Sequence, residues 1–229
     1  MIRFVFLDVD DTLLDFRKSE VIALEKTLAE FDLPFSEEIA KLYSAINAAQ
    51  WAKLERGEMT RAEVRLRRFA LLLEKLKADR DPEAVRQCYE RHLGCGHYFL
   101  AGAEALLEAL YGKYRLFVAS NGTTAVQQGR LQSANIERYF DAIFLSEQIG
   151  SAKPQRAFFE DCFAKIPDFD KEQAIILGDS LGSDIRGGIN AGIKTCWYNP
   201  YGKIATDGVV PDYEIATLDE FPSLLEMLS

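Results

Sequence analysis

The chain has 229 residues, of which 48% are hydrophobic and 28% charged, and its formal net charge is −9. Those proportions exclude extensive disorder, and the length suits one large domain or a domain with an insertion. With a sequence pI near 4.9, the chain lacks the basic balance that a nucleic-acid polymer demands of a partner. No apolar run is long enough to cross a bilayer, and acids arrive by position 8, so neither a membrane segment nor a signal peptide is expected. Cys88, Cys95, Cys162 and Cys196 show no CxxC spacing and fit reduced thiols of a cytoplasmic protein. His92 and His97 lie near Cys95, but without a second cysteine pair they read as surface or cap residues and not as metal ligands.

The first element is a buried strand, Ile2 to Leu7, which ends in Asp8, Asp10 and Asp11. Side chains two apart on an extended chain share a face, so Asp8 and Asp10 can address one site while Val9 turns away. From there the pattern stays helical to about residue 93. Ser19 is the expected cap of a first helix running to Phe31, and Ser36 opens a second that Gly57 stops. Thr60 to Glu63 has capping-box form and starts a third helix; Asp81-Pro82-Glu83 starts a fourth. This block is an insert, because strand and helix alternate only after it.

The alternation begins with a helix from Ala103 to Leu110 and a strand from Tyr114 to Ala119 that ends in Ser120-Asn121-Gly122. A helix from about Thr124, a strand over Ala142 to Leu145 and a loop to Lys153-Pro154 follow. Next come a helix over Phe158 to Ala164 and a strand from Ala174 to Leu177, which ends in Gly178-Asp179-Ser180-Leu181-Gly182-Ser183-Asp184. A helix from Ile185 to Ala191, a strand from Lys194 to Trp197, a short strand near Tyr213 to Ile215 and a helix from Thr217 complete the chain. Such units imply an α/β fold whose parallel sheet is covered by helices on both sides. The domains expected are 1–14 with 102–229 for the sheet and 15–101 for the helical insert with its linkers.

In an open parallel sheet, ligands sit beyond the carboxyl ends of the strands. Each unusual polar cluster here falls at such an end. Four carboxylates near one point repel, so a hard divalent cation with oxygen ligands is expected, Mg²⁺ foremost. Asp8 and Asp179 are its expected side-chain ligands, with the backbone carbonyl of Asp10 beside them. Mg²⁺ takes phosphate oxygens readily, which points to a phosphorylated substrate. The Ser120 hydroxyl and the amides around Asn121 and Gly122, at a helix start, suit its phosphate, and Lys153 adds a positive charge.

These four motifs in this order resemble the haloacid dehalogenase-like hydrolases. The resemblance implies a Rossmann-like, doubly wound sheet of order 3-2-1-4-5 with an all-helical cap inserted after the first motif. It also implies that Asp8 is a nucleophile forming an aspartyl-phosphate, and that Asp10 is the general acid and base. Asp184 would orient a metal-bound water or Lys153. The dehalogenase branch lacks an acid at the position of Asp10, since halide leaves without a proton; its presence here favours phosphate transfer.

The run from Gly178 to Ile193, with Thr195-Cys196-Trp197 and the insert segment Leu54 to Arg61, resembles the bacterial pyrimidine 5′-nucleotidase branch. A nucleoside monophosphate is therefore the favoured substrate, with leaving-group selectivity expected from the insert. Tyr43, Trp51, Arg56, Arg61, Arg65 and Arg68 are the candidates there, against the plainer duty of helix packing. Gly187, Gly188 and Gly192 suit helix–sheet packing and a C-cap. A sugar-phosphate or phosphoglycolate phosphatase, a phosphomutase and, outside the enzymes, a phospho-receiver switch share enough of this pattern to remain alternatives.

Overall fold

The computed structural model describes residues 1–205 and 208–228, apart from the side chain of Glu55. Six strands form one parallel sheet: β1 Phe4–Leu7, β2 Arg115–Ser120, β3 Ala142–Leu145, β4 Ala174–Gly178, β5 Lys194–Tyr198 and β6 Tyr213–Ile215. Their order is β3-β2-β1-β4-β5-β6. The expected five-strand order is present, and β6 extends it by pairing with β5 from Cys196↔Tyr213 to Tyr198↔Ile215. The sheet is Rossmann-like, and its strand order reverses between β1 and β4, which opens a crevice at their carboxyl ends.

The alternation of β1 sorts its side chains by chemistry. Phe4 and Phe6 enter an aromatic layer with Phe117, Phe144, Phe159 and Phe163, whereas Val5 and Leu7 enter an aliphatic one with Val118, Ile175 and Leu177. Phe6 stacks on Phe117 at 5.2 Å between ring centroids and meets Phe163 edge-on at 5.7 Å. Buried on both faces, β1 is a rigid base for the acids that follow it.

The chain forms two compact units, Met1–Phe16 with His97–Ser229, and Arg17–Gly96. In the helical one, α1 spans Phe16–Glu30, α2 Glu37–Glu55, α3 Arg61–Leu76 and α4 Pro82–Leu93. The caps expected at Ser36, Thr60 and Asp81 are present, with Glu63 returning its carboxylate to the Thr60 amide at 2.7 Å. The expected cap at Ser19 is corrected: α1 begins at Phe16, whose amide donates to Asp11 Oδ1 at 3.0 Å, and Ser19 lies within the helix. Tyr43, Phe69 and Tyr89 pack as a buried trio, with the Arg68 guanidinium 5.1 Å from the Tyr89 ring. Tyr43 and Arg68 are thus part of the unit's interior, the plainer of the two duties considered for them.

The sheet unit adds α5 Ala103–Leu110, α6 Thr124–Ser133, α7 Ser146–Ile149, α8 Arg156–Ala164, α9 Arg186–Ala191 and α10 Glu220–Met227. The short α7 falls where the sequence reads as loop, and a π-helical turn over Leu181–Ile185 precedes α9. Helix α10 starts three residues later than expected, because Glu220 accepts from the Ala216 and Thr217 amides at 3.0 and 2.7 Å and holds them as a turn. Gly188 does serve packing: a Cβ there would lie 2.6 Å from Thr195 and 2.7 Å from Ile176. Among the described residues, no helix is long and apolar enough to cross a membrane.

Candidate active site

The buried ammonium of Lys153 organises the crevice. Its Nζ donates to Asp8 Oδ1 at 2.7 Å, Asp184 Oδ1 at 2.6 Å and the Ala119 carbonyl at 2.5 Å. All three donors are engaged, so the charge is fixed in place between the ends of β1, β2 and β4. Burial works against the ammonium, but Asp184 and Asp8 outweigh it and hold its pKa above the ordinary lysine value. The backbone of Lys153 is held as firmly: its carbonyl accepts from Asn121 Nδ2 at 2.9 Å and its amide donates to Asn121 Oδ1 at 3.0 Å. The Asn121 side chain therefore positions the lysine loop, a duty the sequence reading did not assign to it.

Asp8 is 6% exposed and Asp184 1%. Burial pushes the Asp8 carboxyl well above its ordinary pKa; Lys153 opposes that, and Asp184, Asp10 and Asp179 add to it. Burial likewise raises Asp179 to about 7, helped by Asp184 and Asp11. One oxygen from each of Asp8, Asp179 and Asp184 falls within 4.8 Å of the others. Asp184 has both oxygens engaged, one by Lys153 and one by the Ser180 amide at 3.1 Å. Asp8 Oδ2, held among the described residues only by the long 3.3 Å bond from Thr12, and Asp179 are then the more available cation ligands, and an all-oxygen donor set with surplus negative charge fits a hard divalent ion.

Several details fix these acids. Thr12 Oγ1 donates to Asp8 Oδ2 at 3.3 Å and accepts from the Asp179 amide at 3.1 Å, tying the two strand ends together. The Asp179 carbonyl accepts from the indole of buried Trp197 at 2.9 Å. A Cβ at Gly178 would collide with the Asp184 carboxylate, which explains glycine at the end of β4.

On the other side of β1, Ser120 Oγ accepts from the Gly122 amide at 3.0 Å and from Gln127 Nε2 at 2.8 Å. With both lone pairs used, its hydroxyl hydrogen is left to donate to an anion. Asp10 does not share the Lys153 cluster. Its Oδ2 accepts from Gln127 Nε2 at 2.9 Å and its Oδ1 from Arg130, two buried side chains of α6. Sequence reading missed Gln127, Arg130 and Thr12. A glutamine and an arginine three apart, on the helix that follows Ser120-Asn121-Gly122, were the available signal.

A second group, Glu30, Cys88 and His92, brings ligand-type atoms within 4.8 Å in the helical unit. Arg91 already supplies its cation, 2.6 Å from Glu30 and 3.3 Å from Cys88 Sγ. Hydrogen bonds, that from Arg91 foremost, hold the Glu30 carboxyl down to about 2. It is an ion-pair cluster. His97 belongs to the sheet unit and is bonded to Ser133 at 2.5 Å.

Residues 5–198 match the haloacid dehalogenase-like hydrolase family. The HAD-hydrolase YfnB of Bacillus subtilis is 37% identical over 98% of this chain and 96% of its own length. Its crystal structure, bound to magnesium, superposes with a TM-score of 0.93, covering 98% of both chains. The pyrimidine 5′-nucleotidase PynA of Streptococcus pneumoniae is 35% identical, covering 98% of this chain and 95% of its own. The pyrimidine 5′-nucleotidase YjjG of Escherichia coli is 30% identical, covering 97% of each. Sheet order, strand-end acids and sequence likeness along nearly the whole length agree, and the chain belongs to the haloacid dehalogenase-like hydrolases.

Proposed function

We propose that this hydrolase cleaves phosphomonoesters through an aspartyl-phosphate on Asp8, with pyrimidine nucleoside 5′-monophosphates as its substrates. The observation that carries the reading is the Asp8–Lys153 pair at 2.7 Å, with a second carboxylate, Asp10, two residues on and separately held. Lys153 would offset charge on the bound phosphoryl group, and the Ser120 hydroxyl would donate to one of its oxygens. Asp8 would attack phosphorus; the ester P–O bond breaks, its electron pair stays on the leaving oxygen, and Asp10 supplies the proton. Water then attacks the aspartyl-phosphate and gives a proton to Asp10, releasing phosphate, freeing the Asp8 carboxylate and returning Asp10 to its protonated form. Asp8 and Asp179, with the Asp10 carbonyl, would hold Mg²⁺, which supplies Lewis-acid polarisation of phosphoryl oxygens and offsets the crowded carboxylates. Asp184 would act on it indirectly by holding Lys153.

The substrate class is that of the pyrimidine 5′-nucleotidases PynA and YjjG, which match this chain along nearly its whole length. A cytoplasmic location belongs to the same reading and is supported by four free cysteines. The test is phosphate release from nucleoside monophosphates and sugar phosphates with Mg²⁺, beside Asp8→Asn. Turnover of UMP, dUMP or dTMP, abolished in the variant, is expected. Turnover of sugar phosphates alone would discard the nucleotide substrate, and isomerised product would indicate a mutase.

A further inference from the structure

We propose that Gln127 and Arg130 are positioning residues that aim Asp10 at the leaving oxygen and couple it to the phosphate-binding hydroxyl of Ser120. This rests on the phosphomonoesterase reading above and assigns work to two side chains outside the four motifs. Both are buried, and both come from α6. Long polar side chains are costly to bury, and these two direct their donors at Asp10 and Ser120.

The bonds form one directed chain. Arg130 Nη1 donates to Gln127 Oε1 at 3.0 Å, which fixes the orientation of that amide. Its Nε2 must then face the other way, where it donates to Asp10 Oδ2 at 2.9 Å and Ser120 Oγ at 2.8 Å. Arg130 also donates to Asp10 Oδ1. The carboxylate thus carries a guanidinium on one oxygen and a neutral amide on the other. Arg130 occupies Oδ1, which leaves Oδ2 as the atom that exchanges a proton with the ester oxygen. When the P–O bond breaks, its electron pair stays on that ester oxygen, which takes the proton from Oδ2. Gln127 aims the same oxygen.

Gly122 belongs to the device. A Cβ at this position would lie 2.7 Å from Gln127 Cδ and 2.8 Å from Nε2, so glycine leaves the space that the amide occupies. The third residue of Ser120-Asn121-Gly122 therefore admits the group that orients Ser120 and Asp10.

A role in aiming the proton donor makes a prediction that a structural role does not. An alkyl ester needs its leaving oxygen protonated, whereas p-nitrophenyl phosphate expels a stabilised phenolate without help. Gln127→Met, Arg130→Lys and Gly122→Ala should be compared on the best alkyl ester of the parent enzyme and on p-nitrophenyl phosphate, with thermal midpoints checking the fold. In Gln127→Met, kcat/KM for the alkyl ester should fall roughly 30-fold or more and for the aryl ester less than about 5-fold. Arg130→Lys and Gly122→Ala should show the same selectivity in milder form. Introduced into Asp10→Asn, Gln127→Met should add less than about 2-fold on the alkyl ester. Equal losses on both esters, or full additivity with Asp10→Asn, would overturn the positioning role and leave the phosphatase reading intact. A parent active only on sugar phosphates would overturn the nucleotide substrate, and the comparison would run on the sugar phosphate instead. A parent inactive on every ester would overturn the phosphatase reading and this role with it.

Discussion

At the sheet crevice, Asp8, Asp10, Asp179 and Asp184 face two fixed cations, Lys153 and Arg130. In the helical unit, Glu20, Glu83 and Glu90 balance Arg65, Arg68 and Arg86: Glu90 meets all three arginines, Glu83 meets Arg86, and Asn47 joins Glu20 at 2.8 Å to Arg68 at 3.0 Å. The second cluster is matched in charge and bonded internally, so it can be buried as a structural joint. The first is left with surplus negative charge, and burial, with the neighbouring acids adding to it, raises the pKa values of Asp8 and Asp179. Matched charge holds a fold together; unmatched charge defines where a cation and a reaction belong.

The contrast can be broken most sharply at Asp8. Asp8→Asn should cost about 10⁴-fold or more in kcat while leaving the thermal midpoint of the metal-free protein unchanged or higher, because it removes one repelling charge. A large loss of stability instead would mean that Asp8 belongs to the structural kind of cluster. Next comes Lys153→Met, which strands two buried carboxylates and should destabilise by about 3–5 kcal/mol in urea titrations. A cost below about 1 kcal/mol would show that the acids reach water without it.

Metal and pH sharpen the comparison at smaller magnitude. The Asp179 carboxyl titrates near ~3.9 when unfolded and about 7 in the folded, metal-free chain. Its contribution to stability is therefore full below ~pH 4 and is lost as pH rises through 7. Mg²⁺ at a hundred times its Kd should restore about 2.7 kcal/mol, and at a fixed concentration should stabilise more at pH 8 than at pH 6, where it competes with protons. Denaturant curves of chelated protein with and without Mg²⁺ measure this; equal stabilisation at both pH values would contradict it. The smallest effect belongs to the helical unit, where Thr60→Ala should cost about 1 kcal/mol by unfolding the first turn of α3. Its midpoint shift should be the same with and without Mg²⁺.

Strand ends and caps were legible because their signals are local: β-branched and aromatic runs for β1, β2 and β4, and short polar caps at Ser36, Thr60 and Asp81. The acids and Lys153 were legible because their chemistry is incomplete without partners. Gln127 and Arg130 were not, since both read as ordinary polar positions on a helix until the fold turns them inward onto Asp10. Asn121 was legible as a residue and not as a role: its side chain completes a backbone pair with Lys153, 32 positions away. The start of α1 shifted because Asp11 takes the Phe16 amide, a bond between a loop acid and a helix end that spacing does not reveal.

The hydrogen bond from Trp197 to the Asp179 carbonyl has an optical consequence. The chain holds two tryptophans, Trp51 in the helical unit and Trp197 beneath the crevice. With Trp51→Phe, the remaining emission would come from one buried indole bonded to the backbone of Asp179. Its wavelength and intensity would then report crevice occupancy in real time, with no added dye and no turnover required.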